Sequence, residues 1–204
     1  MSDKLDPRQI RSKKKLHEAY LALITATKST LSIKEICDEA GVTRPTFYKL
    51  YNDVYSLRTA MYKEMLHELN QMLVIKEQMR VEDVRVGNLP INMVNLFQHI
   101  LDNAIFYHSF LLISPDSDFI NELKSILKNY IEDGLRIADS EENKLSIPLE
   151  FAINYAVGAY FESILWWIQN NFKFSADEMT ILLLRISLKG PFTDEIQRLF
   201  KLEK

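Results

Sequence analysis

Residues 30–51, TLSIKEICDEAGVTRPTFYKLY, limit what this chain can become more than any other stretch. Ser32 followed three positions later by Glu35 is a capping-box pattern that satisfies orphan amides at a helix start. Ile33, Ile36, Cys37 and Ala40 recur at i, i+3, i+4 and i+7, one apolar stripe on a short helix. Gly41 follows the stripe, where a left-handed residue ends a helix, and Val42 plugs the turn. Thr43 suits an N-cap and Pro45 a first helical turn, where its missing amide costs little. The second helix then sends Phe47, Leu50 and the ring of Tyr51 inward, with the Tyr51 hydroxyl outward. Arg44, Thr46, Tyr48 and Lys49 are left on the outer face. Two short helices joined by a tight turn form a helix-turn-helix, in which one helix braces and the next lies in the DNA major groove. An ordinary helical hairpin with a polar surface is the alternative for this motif taken alone.

Charge distribution favours the first reading. Residues 1–52 hold ten Lys or Arg and six Asp or Glu, leaving fifteen basic and twenty-two acidic residues for the remainder of a chain whose net charge is −3. A basic end on an acidic body fits DNA binding by that end. Arg8, Arg11, Lys13, Lys14 and Lys15 form the densest basic cluster, at the start of the first helix. Beside a recognition helix it is a source of phosphate contacts. Thr43, Arg44, Thr46, Tyr48, Lys49, Lys13 and Lys14 are the candidate DNA-binding residues, with Arg44 and Lys49 placed to read bases.

With 204 residues, 47% of them hydrophobic, the chain can bury a substantial core as one or two domains. Its single cysteine, Cys37, gives no disulfide framework and fits a reduced, cytoplasmic setting. No apolar run reaches bilayer-spanning length, and residues 1–15 are polar and charged rather than signal-like. Five Gly, six Pro and no strongly alternating segment point to an all-α fold. The expected architecture is an N-terminal three-helix helix-turn-helix domain plus a C-terminal helical bundle that forms a dimer interface.

Caps and breakers predict the helices. Asp6 and Pro7 open the first, which runs to about Thr27; the second spans about Ile33–Ala40, the third Arg44–Tyr51, the fourth Asp53–Met79. Gly87, Asn88 and Pro90 break the pattern. Helices then follow from Ile91 towards Asn103, from Ala104 to Ile113, from Asp118 to Ala138, over Pro148–Asn171 and over Ser175–Leu188. Gly190-Pro191 ends the last of these, and Thr193 caps a short terminal helix to about Leu202. Residues 1–52 form the helix-turn-helix domain, 53–79 connect, and 80–204 form a second helical body.

Three segments resemble the TetR family of bacterial regulators: RSKKKLHEAYLALI, then SIKEICDEAGVTRPTFYKLY, then NDVYSLRTAMYKEML opening a long helix. The run T-F-Y-x-x-Y at Thr46–Tyr51 matches the family's T-hydrophobic-Y-x-x-aromatic signature, and the likeness covers about the first third of the chain. One departure is Val54, where the family usually carries a Lys close to DNA phosphates. Asn52 and Asp53 remain as caps, and helix-start amides can hold a phosphate in its place.

The helices over 148–171 and 175–188 are apolar around more than half their circumference, which calls for a pairing partner. Resemblance to the family implies that 80–204 form the effector-binding and dimerisation domain and that these two helices form a four-helix dimer interface, here Ile153, Val157, Tyr160, Ile164, Trp167, Met179, Leu182, Leu183 and Ile186. It also implies an effector pocket in the aromatic-rich stretch 91–171, drawn from Phe97, His99, Phe106, His108, Phe110, Tyr155, Phe161 and Trp166; the same rings serve equally as plain core. His99 and Asp102, at i and i+3, are too few to make a metal site. FYHSFLL at Phe106–Leu112 and YFESILWWIQNNFKFSADEM at Tyr160–Met179 resemble the TetR subgroup that includes the activator of dihydroxyacetone kinase genes.

Enzymatic machinery is missing. Ser12-x-x-Lys15 has a Ser–Lys spacing but lies on an exposed basic helix, and no phosphate loop, zinc-type cluster or nucleophile elbow occurs. No cofactor is expected. The reading is a homodimeric, sequence-specific, ligand-responsive repressor of a palindromic operator on double-stranded DNA, with a small-molecule effector. Two alternatives stand beside it: a TetR-like activator controlled by a partner protein, and a helical protein–protein adaptor.

Overall fold

A computed structural model describes residues 6–27, 30–74, 89–138 and 145–189. They are helical, with no strand among them: α1 Pro7–Thr27, α2 Ile33–Ala40, α3 Arg44–Leu50, α4 Val54–Leu73, α5 Ile91–Asp102, α6 Ala104–His108, a π-helical turn Ser109–Ile113, α7 Ser117–Ala138, α8 Leu149–Gln169 and α9 Ala176–Lys189. The expected terminal helix over 193–202, the Gly190-Pro191 stop of the helix before it and the break at Gly87-Asn88 lie outside the described residues.

Residues 1–71 and 103–129 pack as one compact unit, and 72–102 and 130–204 as another. In the first, α1, α2 and α3 close around Leu16, Tyr20, Ile36, Cys37 and Phe47, all buried. Local chemistry starts and stops these helices. Ser32 Oγ accepts from the Glu35 amide at 3.3 Å while the Ser32 amide donates to Glu35 Oε2 at 2.8 Å, closing the capping box. The Ser32 hydroxyl, which donates to Glu35 Oε2 at 2.6 Å, and then the Ser32 amide hold the Glu35 carboxyl below its ordinary pKa. Gly41 adopts φ 60°, ψ 37°, the left-handed geometry that a helix stop asks of glycine.

The second part of this unit is aromatic. Phe106 stacks on Phe110 at 4.4 Å between ring centres, and Phe119 meets both edge-on at 5.5 Å. Instead of the single helix expected over 104–113, α6 passes into the π-helical turn, with the Ser114 amide donating to Ser109 O at 2.9 Å. The wider turn accompanies burial of Tyr107, Phe110, Leu111 and Phe119 together, a tertiary demand that no local pattern announces.

In the second unit α5 packs on α9. Phe97 meets Trp167 edge-on at 5.5 Å, and both are fully buried. The described part of α4 ends at Leu73, against an expected Met79, and the Asn92 side-chain amide donates to the carbonyls of Leu73 and Val74 there, at 3.5 and 2.9 Å. Residues 75–79 lie outside the described chain. Between α8 and α9, Asn171 and Phe172 both sit at φ 53°. A left-handed Phe costs about 1–2 kcal/mol. Here Trp167 Nε1 donates to Phe174 O at 2.9 Å and the Phe172 ring packs edge-on against Trp167 at 5.1 Å, which offsets the strain. A second capping box, Ser175 with Glu178, starts α9.

Candidate nucleic-acid interface

The outer face of α3 is built from both ends. At its start Thr43 is the N-cap: its Oγ1 lies 3.4 Å from the Thr46 amide and 2.9 Å from the Thr46 hydroxyl. At its end the Tyr51 amide donates to Phe47 O at 2.8 Å. Phe47 is fully buried, anchoring the helix on its inner side. Arg44, Tyr48 and Lys49 are exposed, Tyr48 by 56%, while Thr46 is half-buried against its cap. A cation at each end and a phenol between them therefore share one solvent-facing surface. Arg and Lys can reach base edges or phosphates; the hydroxyls can donate to phosphates.

On α1, Arg8, Arg11, Lys14 and Lys15 are exposed. Lys13 differs: it is half-buried and ion-paired to Glu64 of α4, so its charge is balanced inside the unit. Lys14 lies 3.8 Å from Glu18, an exposed pair one turn on. At the start of α4, the Ser56 amide donates to Asp53 Oδ1 at 2.6 Å and the Asp53 amide to Ser56 Oγ at 3.0 Å. One amide of the helix start expected to hold a phosphate, that of Ser56, is thus filled by the Asp53 carboxylate, and this bond holds the carboxyl below its usual pKa. Val54 is half-buried.

Two polar groupings behind this face escaped the sequence reading. In the first, the Tyr51 hydroxyl, expected to point outward, meets His17 Nε2 of α1 at 2.7 Å. Burial, helped by the nearby Lys13 charge, pushes the His17 pKa down from 6.5 to about 4, and burial pushes that of Tyr51 up. In the second, Arg58 of α4 uses all of its donors. Nε and Nη2 reach Asp116 Oδ2 at 3.3 and 3.0 Å, Nη1 reaches the Tyr20 hydroxyl and Ser114 Oγ at 2.7 Å each, and Nη2 reaches Ser114 O at 2.9 Å. The guanidinium carbon lies 4.9 Å from the Phe110 ring centre. Asp116 Oδ1 meanwhile accepts from the Asp118 and Phe119 amides at 3.1 Å, capping α7. The only sequence hint was an arginine set between Leu57, Met61 and Tyr62 on a helix that is otherwise apolar there.

The candidate effector residues are not brought together in one unit. Phe106, His108 and Phe110 belong to the first unit, where the two Phe rings are buried in the aromatic stack. Phe97, His99 and Phe161 are buried in the second. Tyr155 and Trp166, also of the second unit, are 66% and 45% exposed on α8. Among the candidate interface residues, Ile153, Ile164, Trp167, Met179 and Leu183 are buried within the unit, whereas Val157, Tyr160 and Leu182 are half-buried and Ile186 is exposed. The apolar side chains that α8 and α9 leave outside are Phe151, Tyr155 and Trp166, then Ile181 and Ile186. Among the described residues no cluster of three or more metal-ligating side chains occurs, and no helix is long and apolar enough to cross a membrane.

Residues 88–189, half of the chain, match the family model of the TetR-type transcriptional regulator C-terminal region. No curated protein sequence matches the chain. Solved structures share its fold. A TetR transcriptional regulator from Streptococcus agalactiae 2603V is 20% identical, with a TM-score of 0.63 over 88% of this chain and 94% of that one. The fatty acid degradation regulator FadR from Bacillus halodurans is 14% identical, with a TM-score of 0.66 over 93% and 98%. FadR from Bacillus subtilis, solved in complex with stearoyl-CoA, is 14% identical, with a TM-score of 0.62 over 88% and 99%.

Proposed function

The chain belongs to the TetR family of transcriptional regulators, and from that premise we propose that it is a homodimeric repressor that reads a palindromic DNA operator through α3 and releases it on binding an effector. The observation that carries this reading is the α3 surface: Arg44, Tyr48 and Lys49 lie exposed on a helix capped at both ends and anchored by the fully buried Phe47. Arg44 reads bases, helped by Lys49; Thr43, Thr46, Tyr48, Lys49 and Lys14 hold phosphates, and Lys13 supports them from its pair with Glu64. Residues 1–52 are the DNA-binding part, 53–79 the connection and 80–204 the part that pairs and senses. It works in the cytoplasm without a cofactor and catalyses nothing.

Pairing draws on what α8 and α9 leave exposed. Phe151, Tyr155, Gly158, Glu162 and Trp166 recur at i, i+4, i+7, i+11 and i+15 along one exposed side of α8. That stripe, with Ile181 and Ile186, is the surface offered to a second copy, while Ile164, Trp167 and Leu183 brace it from within. Two-fold pairing places two recognition helices on half-sites about 34–36 Å apart. For the effector, buried Phe97, His99 and Phe161 are the residues to test. Because Bacillus subtilis FadR was solved with stearoyl-CoA, a long-chain acyl-CoA is the first class to try.

A mobility-shift titration on the DNA upstream of the chain's own gene tests the reading. A discrete complex with two protomers per duplex, lost on adding stearoyl-CoA or another effector, is expected. Failure to retard any palindromic duplex at low salt would remove it. Control by a partner protein is the second reading, favoured by the close stacking of Phe106, Phe110 and Phe119 upon one another. A complex that no small molecule dissociates would favour it.

A further inference from the structure

We propose that His17 and Tyr51 form a positioning latch that fixes the angle at which the recognition helix presents its outer face, and so governs discrimination between operator and other DNA. This rests on the DNA-binding reading of α3. The buried Phe47 holds α3 near its middle, but a ring in an apolar pocket resists withdrawal more than rotation. A directional bond at one end of so short a helix supplies what the ring lacks. Tyr51 follows the last residue of α3, and its ring meets Phe47 edge-on at 5.7 Å. Its hydroxyl is 2.7 Å from His17 Nε2, on the neighbouring helix α1. His17 is held in its turn: Nδ1 lies 3.9 Å from Glu64 Oε2 of α4, and Glu64 is ion-paired to Lys13, one turn before His17 on α1.

The end of α3 is thereby tied to α1, and through His17 to α4. Keeping the imidazole proton on Nδ1, the side facing the Glu64 carboxylate, leaves the Nε2 lone pair to accept from the Tyr51 hydroxyl. Among the latch groups only Lys13 and Glu64 are charged, and they neutralise each other, so the latch adds nothing to the general attraction for phosphates. It acts on orientation alone. Base readout depends on the placement of a few side chains within the groove, whereas attraction to the phosphate backbone tolerates a shifted helix.

The test compares affinities of the full chain for its own upstream DNA and for a scrambled duplex of equal length, at one salt concentration. Tyr51→Phe keeps the ring and removes only the hydroxyl; His17→Leu removes the acceptor. Each is expected to lower the ratio of the two affinities about three- to tenfold, the range set by the net worth of one hydrogen bond, with scrambled-DNA affinity unchanged. The double variant should lose no more than either single one, because both remove the same bond. His17→Gln, whose amide can reach the place of Nε2, should recover much of the ratio. A ratio that survives both single substitutions overturns the latch alone. Losses that multiply in the double variant, or fall equally on both duplexes, overturn it too. Absence of any preference in the unsubstituted chain removes the DNA-binding reading, and the latch with it.

Discussion

Arg58 shows how much one side chain can decide here. Its side chain is 15% exposed and that of Asp116 only 9%, so removing either partner strands a desolvated charge. Arg58→Ala is expected to cost about 3–5 kcal/mol, read as a lower denaturant midpoint; replacing both residues by apolar ones of similar volume should cost clearly less. His17 gives a pH signature of known sign. Its pKa falls from 6.5 in an unfolded chain to about 4 in the folded one, so between these values the unfolded chain binds a proton that the folded chain does not. Stability is complete above pH 6.5 and declines as pH drops towards 4, by about 3 kcal/mol at most; urea unfolding across that window, with His17→Gln flattening the curve, checks it. On the outer face, Lys49→Ala should weaken binding to every duplex and lower the salt slope by about 1, while Arg44→Ala should relax base preference at one position. Equal effects from both would refute that division.

At the scale of elements, what could be read in advance was what the chain encodes locally. Ser32, Glu35 and Gly41 state where α2 begins and ends within nine residues of each other, and Thr43 marks where α3 begins. Gly41 is the position where substitution should tell: Gly41→Ala meets no neighbour within 4 Å, so its cost is conformational alone, about 1–2 kcal/mol in thermal unfolding. The π-helical turn and the end of α4 were illegible because their partners lie far along the sequence. Asn92 meets the end of a helix nineteen residues before it, at Leu73, and Asp116 answers an arginine 58 positions away. A separation of 34 residues likewise hid His17 as the partner of Tyr51. In α8 the apolar pattern was plain, but an almost continuously apolar helix does not declare which side its own unit will cover. Only packing separated Ile153, Ile164 and Trp167 from Phe151, Tyr155 and Trp166.

For the whole molecule, that exposed stripe predicts an association that one substitution should disturb. Trp166→Glu, on a side chain 45% exposed in the protomer, should leave thermal stability nearly intact and shift sedimentation towards the monomer. An unchanged sedimentation coefficient would send the pairing surface elsewhere. The packing of Arg58 against Ser114 and Asp116 has a different consequence, for inheritance. The first compact unit is made of two stretches, residues 1–71 and 103–129, that are separate in the sequence. A crossover between two relatives near residue 52 or 71 would join the recognition helices of one parent to the Asp116 segment of the other, and leave a buried guanidinium facing a partner it was not selected with. DNA-reading ends in such a lineage should therefore diverge by point substitution on the outer face of α3, rather than be exchanged as cassettes.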